Sequence, residues 1–131
     1  MTDIVWRKLR DAVYGRDFLE AEKPLAENPA LPTMRNGIGE TVLHFLAVEN
    51  DIQAVSWLHA REFSLDEKNK FGTPAVFEVA QLEYKELFLW FSHRAADLSA
   101  KDADGNDLAT NLIEYGKEEM AQFVATVAGA H

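Results

Sequence analysis

The residues whose types could most readily do chemistry lie between Asp102 and Glu114. The run Asp-Ala-Asp-Gly-Asn-Asp at residues 102–107 carries the carboxylate and amide oxygens that Ca²⁺ prefers. A calcium loop places its glycine sixth and a bidentate glutamate twelfth, whereas here Gly105 is fourth and Glu114 is thirteenth. The spacing therefore favours a turn, and a metal-binding protein or enzyme using this segment is the less favoured alternative.

The other reactive side chains form no pattern typical of catalysis. No two of the four histidines have the i, i+4 spacing of a helical zinc site, and Ser92-His93 lacks the glycines of a nucleophile elbow. The chain has no glycine-rich phosphate loop, and its lack of cysteine excludes thiolate zinc sites and cysteine nucleophiles. The sequence therefore predicts a protein that is not an enzyme and needs no cofactor.

The charge balance restricts the class of partner. The 131 residues contain 13 Lys and Arg against 22 Asp and Glu, a net charge of -9, and all of the excess lies in residues 36–131. Such a surface repels phosphates, which argues against nucleic acid and anionic membranes and favours a basic protein. The chain also lacks an apolar N-terminal run and any apolar stretch of about 20 residues, so we expect it to be cytoplasmic. We also expect a monomer.

A repeat with a fixed period organises the chain. Gly39, Gly72 and Gly105 follow one another at intervals of 33 residues, and an Asn or Asp precedes each glycine by three positions. A side chain that can bond to turn amides, followed by a glycine, is a turn signal. The period therefore predicts three turns that open three equivalent units.

Apolar residues recur in register within each unit and predict a pair of helices. Positions four and eight after each glycine form one helical stripe, and positions sixteen and nineteen form a second. Position eighteen holds Trp57, Trp90 and Phe123, which we expect to stack as layers of one core. The predicted helices span residues 41–49 and 53–61, 74–82 and 86–94, and 107–115 and 118–127.

The segment Gly39–Ala47, Gly-Glu-Thr-Val-Leu-His-Phe-Leu-Ala, resembles the G-x-T-P-L-H-x-A-A signature of ankyrin repeats, whose period also agrees. Residues 95–105 are similar to the loop that joins two such repeats. The resemblance implies an all-α ankyrin-repeat solenoid, a single domain over residues 1–131 with helix-pair repeats at 36–68, 69–101 and 102–131. It further implies that Thr41 caps its helix and that His44 bonds to the backbone and braces the hairpin.

Two later units depart from that signature. In the second unit Thr73-Pro74 comes one residue early, which removes the expected threonine bond but leaves Pro74 acceptable in the first helical turn. In the third unit Asp107 stands in place of threonine, as in a degenerate C-terminal cap.

Residues 1–35 are predicted to form a degenerate N-terminal capping helix pair. Val5, Leu9, Ala12 and Val13 make an apolar stripe at helical spacing, and Asp17 with Glu20 resembles a capping box that opens a second helix. Pro24 is expected to interrupt or kink that second helix.

The resemblance also implies a binding surface made of the hairpin tips and the concave face of the first helices. Large apolar side chains ringed by acids at such positions are typical of a hot spot for a basic protein. An alternative is that Phe71 packs on its own hairpin and Tyr115 on the C-terminal cap. The candidate contact residues are Ile38, Glu40, Val48, Glu49, Lys70, Phe71, Gln81, Leu82, Asp104, Glu114 and Tyr115.

The function predicted from the sequence is thus a non-catalytic protein-protein interaction module. A narrower form is an inhibitor, such as a bacterial immunity protein that occludes a basic toxin or nuclease, because a small acidic chain can act by covering its target. A scaffold that links two proteins is disfavoured by the short array.

Overall fold

The computed structural model describes residues 2–94 and 96–129, and within them the chain is all-helical. Ala95, which belongs to the predicted inter-repeat loop, and His131 lie outside the described residues. These described parts contain no strand. The helices are α1 Thr2–Tyr14, α2 Phe18–Glu27, α3 Val42–Val48, α4 Ile52–His59, α5 Ala75–Gln81, α6 Lys85–His93, α7 Leu108–Glu114 and α8 Glu118–Gly129, with a 3-10 turn at Leu31–Thr33.

The boundaries of α3 to α8 agree with the predicted ones to within two residues, because capping side chains define the helix starts. Thr41 Oγ1 accepts a hydrogen bond from the His44 amide at 3.2 Å, and Asp107 Oδ1 accepts one from the Thr110 amide at 2.8 Å. Pro74 precedes α5 without a side-chain cap bond, as the early Thr-Pro of this unit predicts.

The three glycine turns have the same internal hydrogen bonds. In each, Oδ1 of the Asn or Asp accepts bonds from the amides two and four residues later, at 2.9 to 3.1 Å. The glycine three positions on has φ of 77°, 76° and 79° in turn, a region that L side chains rarely adopt. The predicted turns at Gly39, Gly72 and Gly105 are therefore confirmed as copies of one another.

The helices form four successive pairs, α1–α2, α3–α4, α5–α6 and α7–α8, and the first helix of each pair packs against the first helix of the next. One continuous core of buried side chains runs through all four pairs. Most of the recurring apolar positions lie in it, but Ile113 is 54% exposed, unlike its equivalents Ala47 and Ala80. No helix pair in the described part of the chain packs on that side of α7.

The recurring aromatic residues at position eighteen are less buried than predicted. Trp57, Trp90 and Phe123 are only partly buried, whereas the residues that follow them, Leu58, Phe91 and Val124, are nearly inaccessible to solvent. Because neighbouring residues on a helix point about 100° apart, the core-facing stripe is centred one position later. Trp57 stacks instead on Phe18, with ring centroids 5.3 Å apart.

The N-terminal pair is present but differs from its prediction in two respects. The helix α2 continues through Pro24 to Glu27, so of the two effects predicted for Pro24, an interruption or a kink, the interruption is wrong. In α1 the buried residues are Trp6, Leu9 and Val13, while Val5 and Ala12 are partly buried. Trp6 is buried because its ring packs edge-on against Phe45 and its Nε1 donates a hydrogen bond of 3.0 Å to the Glu40 carbonyl.

A charged clamp also fixes this pair to the next. The Arg16 guanidinium donates two bonds, of 2.7 and 2.9 Å, to the carboxylate of Asp51, which is largely buried and caps α4.

None of the helices described above is both long and apolar enough to cross a membrane.

Candidate functional site

Four of the predicted contact residues meet in one groove between the second and third turns. Phe71 comes from the second turn and Asp104 from the third turn, and Glu114 and Tyr115 come from the end of α7. This acidic groove has a volume of about 430 Å³. Its lining residues are Phe71, Thr73, Asp102, Ala103, Asp104, Asn111, Glu114 and Tyr115.

The two aromatic rings of the acidic groove are exposed. Phe71 is 61% and Tyr115 63% exposed, so neither ring is covered by its own hairpin or by the C-terminal helices. The backbone beneath Phe71 is held because its amide donates to Asn69 Oδ1 at 2.9 Å. The Lys70 ammonium lies 5.3 Å from the centre of the Phe71 ring, within the range of a cation–π contact.

A chain of side-chain hydrogen bonds holds Asp102 at the floor of the acidic groove and favours its charged form. Gln81 Nε2 donates to Asn111 Oδ1, and Asn111 Nδ2 donates to Asp102 Oδ2, both at 2.8 Å. The bond from Asn111, followed by those from turn amides, lowers the pKa of Asp102 below its ordinary value. Asp102 therefore remains a carboxylate at neutral pH.

The same bonds explain why residues 102–107 form a turn. Both carboxylate oxygens of Asp102 already accept hydrogen bonds. Oδ1 accepts two bonds from amides of its own turn, and Oδ2 accepts one from Asn111. Glu114, the other end of the calcium-like segment, accepts a bond of 2.9 Å from Asn106 Nδ2. This arrangement supports the turn interpretation reached from the spacing.

The remaining predicted contact residues are more scattered. Ile38 and Leu82 are 47% and 46% exposed, Glu49 is exposed, and Val48 and Gln81 are partly buried. Glu40 is only 5% exposed, so its side chain is not available as a hairpin-tip contact and that prediction is wrong. The chain turns it inward next to α3, where it approaches His44.

A second cluster, Glu40, His44 and Glu78, was missed as a group by sequence reasoning. His44 Nε2 lies 3.2 Å from Glu78 Oε1 and 3.5 Å from Glu40 Oε2, so the predicted bond from His44 to the backbone is replaced by contacts with two carboxylates. Burial raises the pKa of Glu40; the nearby His44 opposes this rise and the Glu78 charge adds to it. Its sequence signal is the i, i+4 spacing of Glu40 and His44, but Glu78 is 34 residues further along the chain.

Comparison with known proteins leaves the site to be judged on its own chemistry. No family model matches this chain, and no curated protein is significantly similar to it in sequence.

Proposed function

We propose that this chain is a non-catalytic protein-interaction module, built as three ankyrin-type repeats with an N-terminal capping pair, that binds a basic segment of a partner protein. The single observation that carries the proposal is the acidic groove. It presents two exposed aromatic rings beside Asp102, Asp104 and Glu114.

Three features that recur every 33 residues support the repeat assignment. The turn hydrogen bonds, the positive φ of the glycine and the packing of consecutive first helices are the same from one unit to the next. Adjacent turns also touch, since the Lys70 amide donates to the Ile38 carbonyl at 3.4 Å. Stacked units of this kind present their tips on one side, where several can contact one ligand.

The two kinds of side chain in the groove have different tasks in the proposal. Phe71 and Tyr115 supply apolar area that water leaves when a partner binds, which determines how long the complex lasts. The carboxylates and the net charge of -9 raise the encounter rate with a cationic partner. A partner segment with Lys or Arg beside an apolar side chain matches both.

The proposal is tested with a random peptide library displayed on phage, selected against the immobilised parent protein. We expect the selected peptides to be enriched in Lys, Arg and large apolar residues. Peptides resynthesised from this selection should bind the parent protein and bind Tyr115→Ala and Phe71→Ala at least about tenfold more weakly. Enrichment without a basic bias would contradict the proposal.

A matched control variant separates the groove from the general acidic surface. Tyr14 on α1 is 63% exposed, the same as Tyr115, and does not line the groove. Tyr14→Ala should therefore bind the selected peptides as the parent does. Equal losses for Tyr14→Ala and Tyr115→Ala would place the binding surface elsewhere.

A further inference from the structure

We propose that Glu40, His44 and Glu78 form a binding site for one divalent transition-metal ion, with Zn²⁺ the best fit to its ligands. The proposal is independent of the acidic groove. The three side chains come from the first turn, from α3 and from α5, so the ion would join two adjacent helix pairs.

The spacing of the ligand atoms fits a single ion. One imidazole nitrogen and one oxygen from each carboxylate all lie within 4.8 Å of one another. Two of the three separations are 3.2 and 3.5 Å. Tetrahedral zinc bonds of 2.0–2.2 Å separate neighbouring ligands by about 3.4 Å, so only small side-chain movements are needed.

The charges of the cluster favour a cation. Glu40 and His44 are 5% and 1% exposed, and the Glu78 side chain is 20% exposed. The two carboxylates bring negative charge into this poorly hydrated place, a costly arrangement that a dication compensates.

The His44 ring is directed into the cluster, and in the described part of the chain its nitrogens contact only the two carboxylates. Among residues 2–94 and 96–129, the ring contacts its neighbours through Nε2, which lies next to the two carboxylates, and the buried Nδ1 has no hydrogen-bond partner. Within the described residues, the proposed carboxylate ligands are therefore the polar contacts that orient the histidine ring. This separates the cluster from an ordinary group of acidic residues.

The surroundings hold the ligands and leave an open side. Asn69 Nδ2 donates to Glu78 Oε1 at 2.7 Å, which orients that carboxylate in the way that outer residues orient metal ligands. Because Glu78 is the only partly exposed member, the site opens toward solvent past its side chain. Water can take the fourth position, since three protein ligands and one water are typical of open zinc sites.

Metal binding is tested on the full chain after chelator treatment, with Co²⁺ as a spectroscopic probe and Zn²⁺ as competitor. We expect visible d–d absorption from Co²⁺ that an equimolar amount of Zn²⁺ removes. With ¹⁵N-labelled histidine, Zn²⁺ should shift the His44 Nε2 resonance, and it should leave the resonances of the exposed His93 unchanged.

The variant Glu78→Gln removes one ligand charge from a partly exposed position and keeps an oxygen for Asn69. We expect it to raise the dissociation constant for Zn²⁺ by about tenfold or more. Glu83→Gln is the matched control, because the Glu83 carboxylate also accepts a side-chain bond, from Lys117 Nζ, and belongs neither to this cluster nor to the acidic groove. That control should bind Zn²⁺ as the parent does.

Two results would overturn the proposal. One is a His44 Nε2 resonance that millimolar Zn²⁺ does not shift while the protein stays folded. The other is a Zn²⁺ affinity that Glu78→Gln does not change, which would assign the metal to surface residues and leave the three side chains as a proton-sharing group.

Discussion

At the scale of single residues, the second and third turns have the same backbone shape but differ in the side chain three positions before the glycine. Asn69 in the second turn uses its Nδ2 to donate to Glu78, whereas Asp102 in the third turn uses Oδ2 to accept from Asn111. The residue six positions after the glycine changes together with it. Donor and acceptor have exchanged places while the turn bonds made by Oδ1 stay the same.

The exchange predicts the effect of Asp102→Asn. The new amide would face Asn111 Nδ2, two donors in contact, and Asn111 cannot turn over without losing its bond from Gln81. We expect the free energy of unfolding at neutral pH to fall by about 1 kcal/mol, allowing for partial exposure. Urea unfolding of the parent and the variant measures it.

A double variant and a pH series complete this test. Adding Asn111→Glu recreates the polarity of the Asn69–Glu78 pair and should recover part of the loss. Because the pKa of Asp102 is lowered from its ordinary 3.8, its contribution to stability is complete above that pH and is lost as the pH falls through the lower folded value. The difference between parent and Asp102→Asn should therefore shrink in acid, and a constant difference would contradict the assignment.

At the scale of elements, the turns differ in how closely the next turn approaches them. A Cβ atom on Gly39 would lie 2.6 Å from the backbone nitrogen of Lys70, whereas one on Gly105 would meet nothing within 4 Å. Both glycines have nearly the same positive φ. The pair therefore separates the cost of the turn conformation from the cost of stacking.

We expect Gly105→Ala to lower the free energy of unfolding by about 1–2 kcal/mol through backbone strain alone. Gly39→Ala should cost about 1 kcal/mol or more beyond that, because the backbone of Lys70 must move. Denaturant unfolding of both variants gives the two values. Equal losses would mean that adjacent turns are not in close contact.

Two neighbouring aromatic residues of α6 differ in burial and should therefore differ in their contribution to stability. Phe91 is fully buried and Trp90, its neighbour, is partly buried with the Arg94 guanidinium 4.5 Å from its ring. Phe91→Ala should cost about 3–5 kcal/mol, and Trp90→Ala about half as much. Thermal or denaturant unfolding distinguishes the two variants. A larger loss of unfolding free energy for Trp90→Ala than for Phe91→Ala would mean that Trp90 is the core residue.

At the scale of the whole molecule, charge and shape act together. The N-terminal 35 residues are neutral, and the remaining residues carry the entire net charge of -9 together with the acidic groove. Under the proposed function, a cationic partner would be attracted to residues 36–131 more than to the neutral helix pair α1–α2. Screening at physiological salt acts over about 8 Å and weakens this attraction.

For a basic peptide selected as above, surface plasmon resonance should show slower association as salt is raised. Tyr115→Ala and Phe71→Ala should instead speed dissociation, with a loss of about 2 kcal/mol in binding free energy for a true hot spot. Tyr14→Ala should change neither rate. Binding that is indifferent to salt and to both groove variants would direct attention to the other helix faces.

The sequence by itself determined the turns, the helices and their period. The bonds that define these features join residues no more than four positions apart, as in the Asn36 turn and the Thr41 cap. Such local contacts are readable from residue types and spacing. The resemblance to ankyrin repeats rests on the same local pattern and stays a prediction.

Only the tertiary structure decided which side chains meet across units. Whether Trp57 or Leu58 faces the core depends on a rotation of about 100° that the packing of the neighbouring pair fixes. The cluster of Glu40, His44 and Glu78 spans 34 residues between His44 and Glu78 and exists only because α3 packs on α5. Glu40 was predicted to lie on the surface, but it is buried and its burial raises the pKa of its carboxyl group. This burial results from the packing of the helices and not from the local sequence.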